Sequence, residues 1–230
     1  ETWRRILQSE LGVEPTQETT GLAERIRSAN TFPRHNLPTQ LTPFVGREAE
    51  LAEIARLLRD ADCRLLTIAG AGGIGKTRLA IQAAADCADE FLHGVCFVPL
   101  APVGNPDLLI STLADHLGFH FEGARDPQAR LLNFLREKEM LLVLDNFEHL
   151  SARSDLLIEI LKRSPAVKIM VTSRERLNLQ AEWLFDVQGL QVPESAQADK
   201  FEEYSAVKLF AQRARRARAH FQLAEADKPY

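Results

Sequence analysis

Residues Leu65-Leu66-Thr67-Ile68-Ala69 run without a break into Gly70-Ala71-Gly72-Gly73-Ile74-Gly75-Lys76-Thr77, and a helix-forming run from Arg78 to Ala85 follows. A short apolar strand, a turn too rich in glycine to be strand or helix, and a helix in direct succession leave few folds open. Gly70, Gly75, Lys76 and Thr77 satisfy the pattern G-x-x-x-x-G-K-[ST]. Glycines let consecutive backbone N–H groups curl inward with no Cβ in the way, which makes a nest for a polyphosphate. The N-terminus of the following helix adds partial positive charge. In such a loop the stretch Gly70, Ala71, Gly72, Gly73, Ile74, Gly75 and Arg78 would line the phosphates. Lys76 would reach the β- and γ-phosphates, and the Thr77 hydroxyl would ligate Mg²⁺. The segment implies binding of a nucleoside triphosphate; the bland alternative is a glycine-rich turn without a ligand.

The rest of the chain alternates in the same way. A helix is expected over Glu48 to Asp60, with Leu51, Ile54, Leu57 and Leu58 on one face. Apolar strands are expected at 65–69, 95–100, 140–144 and 167–171, with a weaker one at 183–187. Asn105-Pro106 and Asp126-Pro127 each start a helix between strands, another covers about 150–163, and a last one begins near Glu203. Continuous apolar strands separated by helices predict an α/β fold, a five-stranded parallel sheet covered on both faces. Ahead of it, residues 1–30 read as two short helices, and 31–43, with Pro33, Pro38 and Pro43, as an extended linker. The NTPase unit is expected over 44–200 and the start of a further helical subdomain over 201–230.

Composition adds exclusions. A net charge of −4 gives no bulk argument for nucleic acid or a membrane surface, and no apolar run approaches a membrane span. Three cysteines, Cys63, Cys87 and Cys96, are odd in number and lack Cys-x-x-Cys spacing, which fits buried thiols in a cytoplasmic setting better than disulfides. The first residues, Glu1-Thr2-Trp3, have neither a starting Met nor a signal-peptide layout, so the chain reads as a piece of a longer one.

In parallel sheets of this kind ligands sit at the carboxyl ends of the strands. The third strand ends in Asp145, a charge that is expensive after four apolar residues unless it has a partner; Mg²⁺ shared with Thr77 is one, and capping of the next helix is the other. Position 146, where fast ATPases of this class often place a carboxylate, holds Asn146, which cannot take a proton, so slow hydrolysis is expected. Glu148 is the nearest substitute. The fourth strand ends in Thr172-Ser173-Arg174; if it lies between the first and third strands, Ser173 and Arg174 would face a γ-phosphate, the alternative being an arginine in a solvated turn. Phe44-Val45-Gly46-Arg47-Glu48 would let Val45 lie against a base and Arg47 near the phosphates, although a stapled helix entry explains it equally well. His116 and His120 have metal-ligand spacing, but Gly118 lies between them and no third ligand is apparent. Arg213, Arg215, Arg216 and Arg218 read as the solvated face of a helix whose apolar stripe is Val207, Phe210, Ala214 and Ala217.

Taken jointly, FVGRE (44–48), GAGGIGKT (70–77), LLVLDNFEHL (141–150) and VTSRE (171–175) resemble the STAND class of P-loop NTPases, in the NB-ARC-like branch found in bacterial transcriptional regulators. The resemblance covers about residues 38–220, and residues 1–30 look like the last helices of a bacterial transcriptional activation domain. It implies a switch that ADP holds closed and that an inducer with ATP opens, so that the protein self-associates and acts on transcription. It also implies that Val45 and Arg47 touch the nucleotide, that Asp145 holds Mg²⁺, and that Arg174 senses the γ-phosphate. Before the Gly-x-Pro stretch and winged-helix domain of the full pattern the chain stops, and DNA contact would come only through modules outside it. Two other classes remain open on the residues: a working ATPase of the AAA+ type, which needs Glu148 as its carboxylate, and a small-substrate kinase, for which no lid is visible.

Overall fold

The computed structural model describes Thr16 and residues 34–120, 126–193 and 201–221. The two helices expected within 1–30 lie outside these. Five strands form one sheet: β1 (Leu65–Ala69), β2 (Val95–Pro99), β3 (Met140–Asp145), β4 (Val167–Ser173) and β5 (Glu182–Asp186). Their order is β2-β3-β4-β1-β5 and every pairing is parallel. The fourth strand therefore does lie between the first and the third. It is also longer than its apolar run, because Thr172 and Ser173 continue the ladder opposite Ile68 and Ala69.

Helices α1 (Glu48–Arg59), α2 (Lys76–Asp86), α3 (Leu109–His116), α4 (Pro127–Leu135) and α5 (Ser154–Arg163) flank the sheet, and α6 (Ser205–Ala217) follows. The two start signals work as read: Asn105 accepts from the Asp107 amide, and Asp126 from that of Ala129, each with Pro at the next position. The helix expected from about Leu150 begins instead as a 3₁₀ segment, Phe147–Arg153, because the chain leaves β3 through Asn146 in the left-handed region, φ 65°. Asn adopts that conformation at lower cost than most residues, which gives position 146 a backbone reason for its identity.

Alternate side chains of the buried strands fall on opposite faces and make two cores. One face packs Leu142, Leu144, Ile169 and Val171 against α3, α4 and α5; the other packs Leu66, Ile68, Leu141, Val143 and Met170 against α1 and α2. All three cysteines are buried thiols. Burial pushes Cys96 up to about 12, Cys63 up to about 11, and Cys87 up as well.

The segment expected to be a linker is extended but docked. The Val95 amide donates to the Arg34 carbonyl at 2.9 Å, His35 bridges Val95 in parallel, and Arg34 pairs with Asp89. Asn36 completes the rung with its side chain: its Oδ1 accepts from the Phe97 amide at 2.5 Å and its Nδ2 donates to the Phe97 carbonyl at 2.9 Å. An amide side chain carries the same donor and acceptor as a peptide, so it can stand in for a strand residue.

Candidate functional site

The end of β1 opens into residues 70–75, and α2 starts at Lys76 with Gly75 as its N-cap, φ 98°, and no capping side chain. The first amides of α2 are therefore left for another acceptor. Gly73 (φ 77°) and Gly75 hold left-handed backbone, and a Cβ on Gly72, Gly73 or Gly75 would meet nothing within 4 Å. The backbone at these three glycines borders open space. Gly70 serves packing instead, since a Cβ there would lie 2.9 Å from the Val187 carbonyl oxygen.

Lys76, 8% exposed, folds over the loop and donates to the carbonyls of Gly70 at 2.8 Å and Ala71 at 3.0 Å. Its neighbour Thr77 donates from Oγ1 to Asp145 Oδ1 at 2.7 Å, although 68 positions separate them. Asp145 is also buried, and the same oxygen accepts from Thr172 Oγ1 at 2.6 Å. The Asn146 amide in turn donates to Thr172 Oγ1 at 2.9 Å. Thr172 thus couples the end of β3 to the end of β4. Sequence reading passed over it in favour of its neighbours; the signal was the register, in which Leu144 faces Val171 and the next residues face each other.

Ser173 is fully buried, and its hydroxyl accepts from the Glu175 amide at 3.3 Å. Arg174 projects outward, 71% exposed, with its Nε 3.1 Å from Oε1 of Glu148, whose side chain is 19% exposed. The two residues proposed for catalysis or γ-phosphate sensing therefore stand side by side, on turns that leave adjacent strands.

Arg47 and Arg78 are engaged with protein. Arg47 is left-handed (φ 68°) and buried; its guanidinium donates to the carbonyls of Ile74 and Gln188, both at 3.0 Å, and pairs with Glu50 at 3.1 Å. A non-glycine residue in this conformation costs on the order of 1–3 kcal/mol and persists only where its surroundings over-determine it, as these three bonds do. Arg78 donates to Gln40 at 3.2 Å and to the carbonyls of Thr42 and Pro43 at 2.8 and 3.1 Å, with Phe44 under its guanidinium. Both arginines thus bind the incoming segment to the glycine loop and α2.

Val45 lines a cavity of about 610 Å³ shared with Glu202, Val207, Lys208, Gln212 and Arg215. Gly46 lets α6 close on this strip, because a Cβ there would lie 2.8 Å from Ser205. The expected apolar stripe of α6 is only partly covered: Val207 is buried, whereas Phe210 is 57% exposed and meets Phe221 edge to face at 5.8 Å. His116 Nδ1 lies 2.9 Å from the Thr112 carbonyl, one helical turn back. Among the described residues no helix is long and apolar enough to cross a membrane.

The chain is similar to known proteins. A protein of Mycobacterium tuberculosis named as an HTH-type transcriptional regulator is 38% identical over 165 residues, covering 71% of this chain and 17% of its own length. Regulatory protein AfsR of Streptomyces griseus is 28% identical over 221 residues, 84% of this chain and 22% of its own. The chain thus spans less than half of the curated relatives that it matches. Among solved structures, Cdc6p from Pyrobaculum aerophilum superposes with a TM-score of 0.50 over 78% of this chain and 51% of its own, at 17% identity, a likeness of fold alone. The profile of the NB-ARC domain matches residues 47–181, more than half of the sequence, and the chain belongs to the NB-ARC family.

Proposed function

We propose that this chain is the ATP- and ADP-binding regulatory module of a bacterial transcriptional regulator, with slow turnover at most. The observation that carries the reading is the contact between Thr77 and Asp145: the hydroxyl that follows the loop lysine and the carboxylate at the end of β3 meet at 2.7 Å beside the glycine loop. One hydroxyl and one carboxylate are hard oxygen donors of the kind Mg²⁺ takes in nucleotide sites. With nucleotide bound, Mg²⁺ would neutralise charge on the β- and γ-phosphates; Thr77 and Asp145 would hold it. Lys76 would exchange the Gly70 and Ala71 carbonyls for phosphate oxygens. The amides of residues 72–77 would cradle the anion, and the cavity beside Val45 has the size and mixed polarity of a seat for base and ribose.

Slow turnover follows from Asn146, whose amide cannot act as a base, and from Glu148, whose Oε1 is taken up by Arg174. Self-association in the ATP state, a cytoplasmic location, and DNA contact through modules outside this chain complete the reading; the last is supported by the HTH-type regulator to which the chain is similar. The test is to denature the purified protein, identify any released nucleotide by chromatography, and then titrate ATP and ADP with Mg²⁺ into wild type and Lys76→Ala. Binding that is lost in Lys76→Ala, with turnover below about one per second, supports a regulatory module. Unchanged affinity in the variant makes the loop structural, and faster unaided turnover favours a working ATPase.

A further inference from the structure

Glu148 has no role yet that its geometry explains. It sits in the 3₁₀ segment after β3 with one oxygen on Arg174 and the other, Oε2, buried without a hydrogen-bond partner. A carboxylate prepared to orient water would keep its oxygens free for it; here Oε2 is buried and Oε1 faces Arg174. Arg174 is the reverse. Its side chain is mostly exposed, Glu148 is its ion-pair partner, and the contact runs through Nε, the inner nitrogen of the guanidinium. The two outer nitrogens form the forked end that grips anions, and the side chain that carries them is 71% exposed. Position 174 also follows directly on Ser173, which pairs in register with Ala69, the residue before Gly70. The fork therefore leaves the sheet next to the first glycine of the loop.

Resting on the reading above, we propose that Glu148 is a positioning residue: by holding Arg174 at Nε it aims the outer nitrogens at the third phosphate, and so sets the preference for nucleoside triphosphate over diphosphate. A long exposed side chain loses rotamer freedom when it binds, and a tether at Nε settles part of that loss before the ligand arrives. The negative charge of Glu148 also keeps a cation at a position where a neutral residue would leave it to wander.

The experiment is a double-mutant cycle in the present chain, measuring the affinities of a non-hydrolysable ATP analogue and of ADP, with Mg²⁺, for wild type, Arg174→Ala, Glu148→Ala, Glu148→Gln and the double variant. The readout is the ratio of the two affinities, in which any general loss of fold cancels. Arg174→Ala is expected to lower the triphosphate preference about tenfold, the scale of one charge-assisted hydrogen bond. Glu148→Ala should lower it about threefold to tenfold, and Glu148→Gln, which keeps an acceptor for Nε, by less. The double variant should match Arg174→Ala. A double variant that loses the product of both factors overturns the proposal, because Glu148 would then act on the nucleotide independently. A triphosphate preference that rises in Glu148→Ala also overturns it and makes the glutamate a competitor for Arg174. If Arg174→Ala leaves the ratio unchanged while Lys76→Ala abolishes binding of both nucleotides, the site stands and the γ-phosphate role of Arg174 falls. If Lys76→Ala changes neither affinity, the nucleotide reading itself has failed.

Discussion

The two edges of the sheet are finished in opposite ways. At one, β2 is almost wholly buried, and residues 34–36 lie along its outer side with backbone and amide bonds. At the other, β5 pairs with β1 alone among the described residues, and Trp183 is 37% and Leu184 47% exposed. An unpaired strand edge is a row of free donors and acceptors that invites another chain. The covered edge is closed by the segment leading in from the N-terminal side, which then runs on to Arg78 and to Arg47 at the loop. The difference teaches that the sequence ahead of the NTPase unit is part of its architecture, whereas no described residue covers the outer side of β5.

The sharpest way to break this comparison is Gly94→Val. Gly94 has φ 70°, and a Cβ there would lie 2.0 Å from the Arg34 carbonyl oxygen. The substitution should expel residues 34–36 and cost about 3 kcal/mol from strain and lost pairing, read as a lower urea midpoint with rapid proteolysis near position 40. Wild-type stability and protection would mean that the docked segment contributes nothing. Asn36→Ala is gentler. It removes both bonds to Phe97, and a loss of about 1–2 kcal/mol is expected in the same assay, with the sheet intact by circular dichroism. Smallest is Leu184→Lys on the open edge, expected within about 0.5 kcal/mol of wild type. Its effect should appear instead as reduced self-association in concentrated solution, and a stability loss as large as that of Asn36→Ala would show that β5 is as integrated as β2.

Much of the fold was legible because its signals are local. Four of the strands are apolar runs buried on both faces, and the glycine loop is set by composition. The docked segment was not, since it holds by backbone carbonyls and one amide side chain, and neither leaves a period in the sequence. Arg47 and Arg78 illustrate the same limit at the site. Their type and place suggest a phosphate ligand, but nothing in the sequence shows the backbone carbonyls that each engages. Thr172 required the register, a property of two strands that neither strand reveals alone. The pairing of Glu148 with Arg174 needed the β3–β4 adjacency, which the sequence offers only as a condition and the strand order supplies.

The three buried thiols give the molecule clocks of its own. Thiolate is the reactive form, and burial both removes access and holds Cys63 and Cys96 protonated well above neutral pH. A thiol reagent at neutral pH can therefore modify them only while the surrounding structure is open. Cys87 lies at the end of the helix that begins at Lys76, Cys96 lies on β2, and Cys63 stands just before β1. Their separate labelling rates time the openings of the helix behind the loop, the covered edge and the base of the sheet, with no label added to the sequence.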